Sequence, residues 1–206
     1  MITRTQNMMY AQTVLTFVVV ITCGGSVFAG PASESIKQTH EEVLQVLHDQ
    51  DLKDPVRSAE RQQQLAVLIA QRFSCREMAR HLLGQHWNPL EEEERAEFVR
   101  LFLLILVKSY ADYIDRYADQ PIQYLDERSS NGRAMVATRL VGQSRELLLD
   151  FWLFERSGEW KVYDVVVDGI SLIENYRTQF RRLLRLSSYE TLLEKMRQKV
   201  CYQGCN

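Results

Sequence analysis

RELLLDFWLFERSGEWKVYDVVVDGISLIENYRTQF, residues 145–180, holds two strands, two turns and a helix start in 36 consecutive positions. Leu147–Phe154 and Trp160–Val167 are rich in aromatic and branched residues and flank Ser157-Gly158, the composition of a hairpin with a two-residue loop. That loop sets Leu153 against Val162, Phe151 against Asp164 and Leu149 against Val166, because paired residues share a face. One face then carries Leu147, Leu149, Phe151, Leu153, Val162 and Val166. The other carries Leu148, Asp150, Trp152, Phe154, Tyr163, Val165 and Val167, so both faces need cover. Asp168-Gly169 ends the second strand, glycine tolerating the backbone angles of a sharp turn, and Ser171 is placed to cap a helix. That helix turns Leu172, Tyr176, Phe180 and Leu183 one way and Arg177, Arg181, Arg182 and Arg185 the other. The arginine face reads as solvated, with an acidic partner or anionic headgroup as the sharper alternative.

Working outward, IQYLDE (122–127) and RAMVATRLV (133–141) add two more strands, separated by Asn131-Gly132 and by Gly142-Gln143-Ser144 from the next. A loop at Gln143-Ser144 brings Val136 and Leu140 onto the Leu153 face. Four strands in an antiparallel meander follow. Residues 35–118 are helical instead. Ile36, His40, Val43, Leu44 and Leu47 share one face, and Asp54-Pro55 caps a helix containing Leu65, Leu68 and Ile69. Ser74 and Glu77 have capping-box spacing ahead of Met78, Leu82 and Leu83, and Asn88-Pro89 with four glutamates opens a helix to about Tyr117. Its middle, LFLLILV (101–107), is apolar on every face, so it must be wrapped by protein or face an apolar ligand. With no repeat or linker between helices and strands, the chain reads as one α+β domain: a helical layer on a curved, mainly antiparallel four-stranded sheet, closing with C-terminal helices.

The 206 residues are 46% hydrophobic and 25% charged, an ordinary globular balance. The formal net charge of -2 lacks the basic excess of a nucleic-acid binder. Arg4 is the one charged residue in the first 29, VLTFVVVIT (14–22) is a short apolar run, and Val27 and Ala29 are compact residues at positions -3 and -1 of a cut after Ala29. That is a secretory signal pattern, the apolar run being about half the roughly 20 residues of a membrane span. Cys23 raises a lipoprotein alternative, against which Thr22 stands where a smaller residue is usual. The expected mature chain, 30–206, is exported and periplasmic. Of its three cysteines, one disulfide and one free thiol is the simplest count in an oxidising compartment: Cys201 and Cys205 could meet in a tail clip if the tail bends tightly, beside a buried Cys75 thiol.

Catalytic and metal constellations are weak. His81 and His86 are five apart, not at the spacing that puts two imidazoles on one helical face. DGIS (168–171) lacks the second glycine of a nucleophile elbow. Asp150, Asp164 and Asp168 would serve an exported enzyme as an acid–base group. The simpler reading pairs Asp150 with Arg139 across the sheet and gives Asp164 to backbone or tyrosine groups. No cofactor and no metal is expected.

Several runs carry a resemblance. MARHLLGQHW (78–87), EEERAEFVRLF (92–102), KSYADYIDRY (108–117), LDFWLF (149–154) and WKVYDVVVDGISLIENYRTQF (160–180) resemble the MlaC and toluene-tolerance family of periplasmic lipid-shuttling proteins. The likeness runs in order from about Phe73 to about Val200. The tail CYQGCN departs from it, and the first forty mature residues match only in pattern. The resemblance implies a nuclear-transport-factor-like fold and a carrier of phospholipid with its acyl chains in an apolar cavity. It implies as partners an inner-membrane ABC transporter complex and an outer-membrane lipoprotein complex, with a hopanoid-linked version as an alternative. No enzymatic activity is implied. The residues expected to line the cavity are Phe98, Leu101, Phe102 and Ile105 on the apolar helix, Leu140, Leu149, Phe151, Leu153 and Val166 on the sheet, and Ile170 and Tyr176 beyond it.

Overall fold

The computed structural model describes residues 30–117, 120–142 and 145–202, with the backbone alone for 111–117 and 202. The expected signal segment, the Gln143-Ser144 loop and Cys205 lie outside the described residues. Asn131 and Gly132 (φ 51° and 68°), Ser157 and Gly158 (55° and 81°), and Asp168 and Gly169 (48° and 82°) each place two successive residues in the left-handed region. Such pairs make hairpin turns whose twist matches that of the flanking strands. They join β1 (Ile122–Ser130) to β2 (Arg133–Val141), β3 (Glu146–Arg156) to β4 (Glu159–Val167), and β4 to β5 (Ile170–Ser171). The sheet is open and antiparallel in the order β1-β2-β3-β4-β5. The fifth strand is an addition to the expected four: after Asp168-Gly169 the chain pairs back for two residues before its helix begins.

The expected β2–β3 register holds, with Val136 opposite Phe151 and Leu140 opposite Leu147. Between β3 and β4 it holds only next to the turn. Leu153 pairs with Val162, but Trp152 pairs with Asp164, Phe151 with Val165 and Leu149 with Val167. Tyr163 is the extra residue of a bulge, which exchanges the faces of everything after it. Val165 and Val167 therefore join the Leu153 face. Val166, expected there, lies on the opposite face across from Asp150. A second irregularity falls at Leu125 in β1.

The helices are α1 (Pro31–His48), α2 (Ser58–Arg72), α3 (Cys75–Leu83), α4 (Glu92–Tyr117), α5 (Leu172–Leu186) and α6 (Tyr189–Tyr202). Asp54 accepts the Val56 amide at 2.9 Å as expected, opening a short 3-10 turn that leads into α2. The Ser74–Glu77 capping box does not form. The Ser74 amide donates to Val162 O at 2.8 Å, tying this stretch to the edge of β4, and Glu77 pairs with Arg80. Asn88 and Pro89 sit in a turn, and α4 starts later, at Glu92, where the Glu94 carboxylate accepts the Glu91 amide at 2.8 Å. Ser171 does cap α5, accepting the Glu174 amide at 3.0 Å.

Helix α4 is wrapped, as its composition requires. It lies against α2, α3 and α6, and Phe98, Phe102 and Ile105 are buried with Val107, which points the other way around the helix. Helix α6 runs alongside it in the same sense: the Tyr189 hydroxyl donates to Glu94 O at 3.0 Å near one end, and Lys108 Nζ donates to Val200 O at 2.8 Å near the other. Between them Arg197 holds Glu97 through two bonds of 2.9 and 3.0 Å. No helix among the described residues is long and apolar enough to cross a membrane.

Candidate functional site

Among the described residues two apolar clusters form the interior. The first is helical: Met78, Leu82 and Trp87 with Phe98, Phe102 and Ile105 of α4, Tyr176 and Phe180 of α5, and Leu193 of α6. Its aromatic rings meet edge to face, Phe98 with Phe180 at 5.8 Å between centroids and Phe102 with Tyr176 at 5.5 Å. The second joins α1 to the sheet, with Ala32 and Ile36 on Ala134, Val136, Leu153, Val162 and Val165.

The sheet face of the second cluster is built in cross-strand layers. Ala134, Leu153 and Val162 make the first, and Val136, Phe151 and Val165 the second. Tyr124, Thr138, Leu149 and Val167 make the third, and Ile122, Leu140 and Leu147 the last. Leu153 and Val162 are fully buried, whereas Phe151, Leu149, Val167 and Leu147 are half-buried. Helix α1 seals one end of the face and leaves an apolar strip toward the other.

Polar groups border that strip. The Thr138 hydroxyl donates to Leu149 O at 2.9 Å and is satisfied. The Tyr124 hydroxyl oxygen is buried with no hydrogen-bond partner among the described residues. Burial, reinforced by the negative charges of Glu41 and Glu34, pushes this phenol up to about 12, so it stays a neutral O–H donor. Glu127, inward-facing opposite Val136, accepts the Ser33 amide at 2.7 Å at the start of α1, where a carboxylate suits the positive end of the helix. A Cβ added at Gly30 would overlap the same carboxylate, so a larger residue there requires the flexible Glu127 side chain to move aside.

The residues expected to line a cavity thus divide. Phe98, Leu101, Phe102, Ile105 and Tyr176 are together in the helical cluster. Leu153 and Phe151 belong to the sheet cluster, Leu149 lies on the half-open strip, and Leu140, 9% exposed, is at its end. Val166 is turned to the opposite sheet face by the bulge, and Ile170 in β5 is 63% exposed. Val165, Val167, Tyr124 and Thr138 share the inner face and were not expected there. The signal for the two valines was the unbroken apolar run Val165–Val167, which is consistent with either register. Two open clefts of about 650 and 690 Å³ flank α1, and neither is lined by any expected residue. The first is bounded mainly by polar and acidic side chains of α1 and α2. In the second, Arg72 Nε donates to the Thr39 hydroxyl at 2.6 Å, crossing from α2 to α1.

Two of the three candidate acids, Asp164 and Asp168, have structural work. Asp164 accepts the Ser171 hydroxyl at 2.5 Å and the Ile173 and Val165 amides at 3.2 and 2.8 Å, anchoring the start of α5. Asp168 takes the Leu148 amide at 3.1 Å and pairs with Arg145, which together hold its carboxyl below the usual range. Arg139 faces Glu146 at 3.6 Å rather than Asp150, since Leu148 stands opposite Arg139 in the register. His81 stacks on Tyr163 at 6.0 Å.

The family model described as MlaC protein matches residues 37–198, from within α1 to within α6. The chain belongs to the MlaC family. A curated relative, the intermembrane phospholipid transport system binding protein MlaC of Haemophilus influenzae, is 29% identical over 125 residues. The match spans 58% of this chain and 58% of the length of that relative. A solved phospholipid-binding protein from Ralstonia solanacearum, in complex with a phospholipid, superposes with a TM-score of 0.75 over 84% of this chain and 98% of that one. At 20% identity that likeness is one of fold. In this chain that fold is an open five-stranded antiparallel sheet with α1 packed on its Leu153 face and α5 and α6 following the last strand.

Proposed function

We propose that this MlaC-family protein is a periplasmic lipid carrier, exported by a signal peptide cut near Ala29, that takes up phospholipid acyl chains between the sheet and the helical cluster. The observation that carries the reading is the half-buried apolar strip of Leu147, Leu149, Phe151 and Val167, in a chain whose relatives include a phospholipid transport system binding protein. Burial of apolar surface is worth roughly 0.8 kcal/mol per methylene, so two partly inserted acyl chains supply on the order of 10 kcal/mol gross. That covers the separation of two packed surfaces without any catalytic group. Leu140, Leu149, Phe151, Val165 and Val167 form the sheet wall, with Leu153 at the sealed end. Phe98, Leu101, Phe102, Ile105 and Tyr176 form the facing helical layer. The Tyr124 hydroxyl offers a neutral donor to an ester carbonyl or phosphate oxygen at the strip. Transport is passive in the carrier itself, which receives lipid from one membrane complex and releases it to another: an inner-membrane ABC transporter complex and an outer-membrane lipoprotein complex.

Native purification followed by organic extraction and mass spectrometry tests this directly. Near-stoichiometric phospholipid is the expected result. A hopanoid in its place would redirect the cargo, and a protein that is empty and also refuses added phospholipid would end the carrier reading.

A further inference from the structure

The α5 face opposite the helical core carries an unusual local charge. Ile173, Tyr176 and Phe180 are turned inward, while Arg181, Arg182 and Arg185 are exposed, within about one turn of each other on the outer side. Elsewhere Arg57, Arg76, Arg80, Arg128 and Arg197 each meet a carboxylate. Among the described residues no ion pair involves the three α5 arginines, although acids outnumber bases in the chain as a whole, 27 to 25. Leu186 ends the helix one turn beyond Arg182 and is 78% exposed, among the most exposed of the large apolar side chains. Guanidinium groups beside a projecting leucine suit a peripheral contact with an anionic lipid surface. The cations sit at phosphate level, their stems lie along the interface, and the apolar side chain enters the acyl boundary.

We propose that the outer face of α5 is a docking surface for bilayers of anionic phospholipid, through which the protein rests on a membrane reversibly. An acidic protein partner would use the arginines but would leave Leu186 without a role. Juxtamembrane basic residues each strengthen attachment to anionic lipid about fivefold, so three give about a hundredfold. One leucine adds a smaller, salt-insensitive share. Attachment of that strength is weak and quickly reversed, which suits a carrier that must leave the surface again.

The test is flotation of the mature chain, stripped of lipid, with phosphatidylglycerol-containing vesicles and with pure phosphatidylcholine vesicles, at low salt and at about 0.5 M salt. Binding is expected only to the anionic vesicles and to fall steeply at high salt. Replacing Arg181, Arg182 and Arg185 together by Gln should weaken it about a hundredfold, and Leu186→Ser should weaken it several-fold at either salt level. All four side chains point outward, so circular dichroism and the melting temperature should match wild type. Equal binding to neutral vesicles, or anionic binding untouched by the triple change, overturns the proposal. So does binding lost in the triple variant but unaffected by Leu186→Ser, the result expected of a surface that reads charge alone. Because the vesicle assay uses stripped protein, a chain that carries lipid yet ignores vesicles refutes the docking surface and leaves the carrier reading intact.

Discussion

Tyr124 has a buried hydroxyl with no hydrogen-bond partner among the described residues, on the same sheet layer as Leu149 and Val167. An unpaired buried polar group costs about 1 to 3 kcal/mol, so Tyr124→Phe should leave the lipid-free protein as stable as wild type or raise its stability by about 1 kcal/mol. If the hydroxyl serves lipid, the same variant should retain less phospholipid through purification. A clear loss of melting temperature without lipid would instead reveal a structural partner for the hydroxyl. Cys75 makes a second point at this scale. It is buried, and burial pushes its thiol up to about 11, so only about a thousandth is thiolate near pH 8. Iodoacetamide should therefore reach Cys75 only after denaturant is added, as peptide mapping would record. Cys75 was legible as a buried thiol from its place ahead of the Met78–Leu82 face. Glu127 was not legible, because its role as partner to the start of α1 joins residues 94 apart in the chain. Gly30→Val tests that contact: its side chain must displace the Glu127 carboxylate, and a cap of this kind is worth about 1 kcal/mol.

At the scale of elements, turns could be read from dipeptides because their chemistry is local. Asn131-Gly132, Ser157-Gly158 and Asp168-Gly169 each take positive φ at both positions, the glycine at no steric cost. The bulge at Tyr163 carries no such mark, since period-two reading assumes one residue per step, and Val165-Val166-Val167 is apolar at every step. The outcome was set by packing: Asp164 is required at the start of α5, where it binds Ser171 and the Ile173 amide, and that places Val165 inward. The capping box at Ser74 failed for a similar reason, the Ser74 amide being drawn to the β4 edge. Between helices, the Arg197–Glu97 contact gives a pH-dependent attachment of α6 to α4. Hydrogen bonding and the positive charge of Arg197 hold the Glu97 carboxyl below its ordinary range. Its contribution is then complete above the ordinary glutamate value and is lost as pH falls through the depressed folded value. Glu97→Gln should flatten the acid limb of a plot of melting temperature against pH while changing little near neutrality beyond a constant offset. An unaltered acid limb would mean that other carboxylates govern acid unfolding.

For the whole molecule, alternation and helical spacing pointed to an α+β build, and a helix apolar on every face pointed to one that is enclosed on several sides. What they could not supply was the division of the interior, because an apolar residue packs equally well on protein or on lipid and its spacing is the same in both cases. In the structure these apolar residues differ in exposure. Ile105 is 2% exposed inside the helical cluster, whereas Leu149 lies half-buried on the strip beyond the reach of α1. A carboxylate at position 105 would be trapped away from water, a cost that a domain of ordinary stability does not survive. A carboxylate at position 149 retains a route to solvent, so Leu149→Glu should fold with a loss of only about 1 to 2 kcal/mol. Acyl chains laid along the strip would meet that charge directly. Leu149→Glu is therefore expected to purify as a folded protein with little or no bound phospholipid, and added lipid should raise the melting temperature of wild type but not of the variant. Ile105→Glu should fail to fold. A folded Leu149→Glu protein holding phospholipid at wild-type stoichiometry would show that the acyl chains lie elsewhere, and the strip would revert to a loosely covered edge of the core.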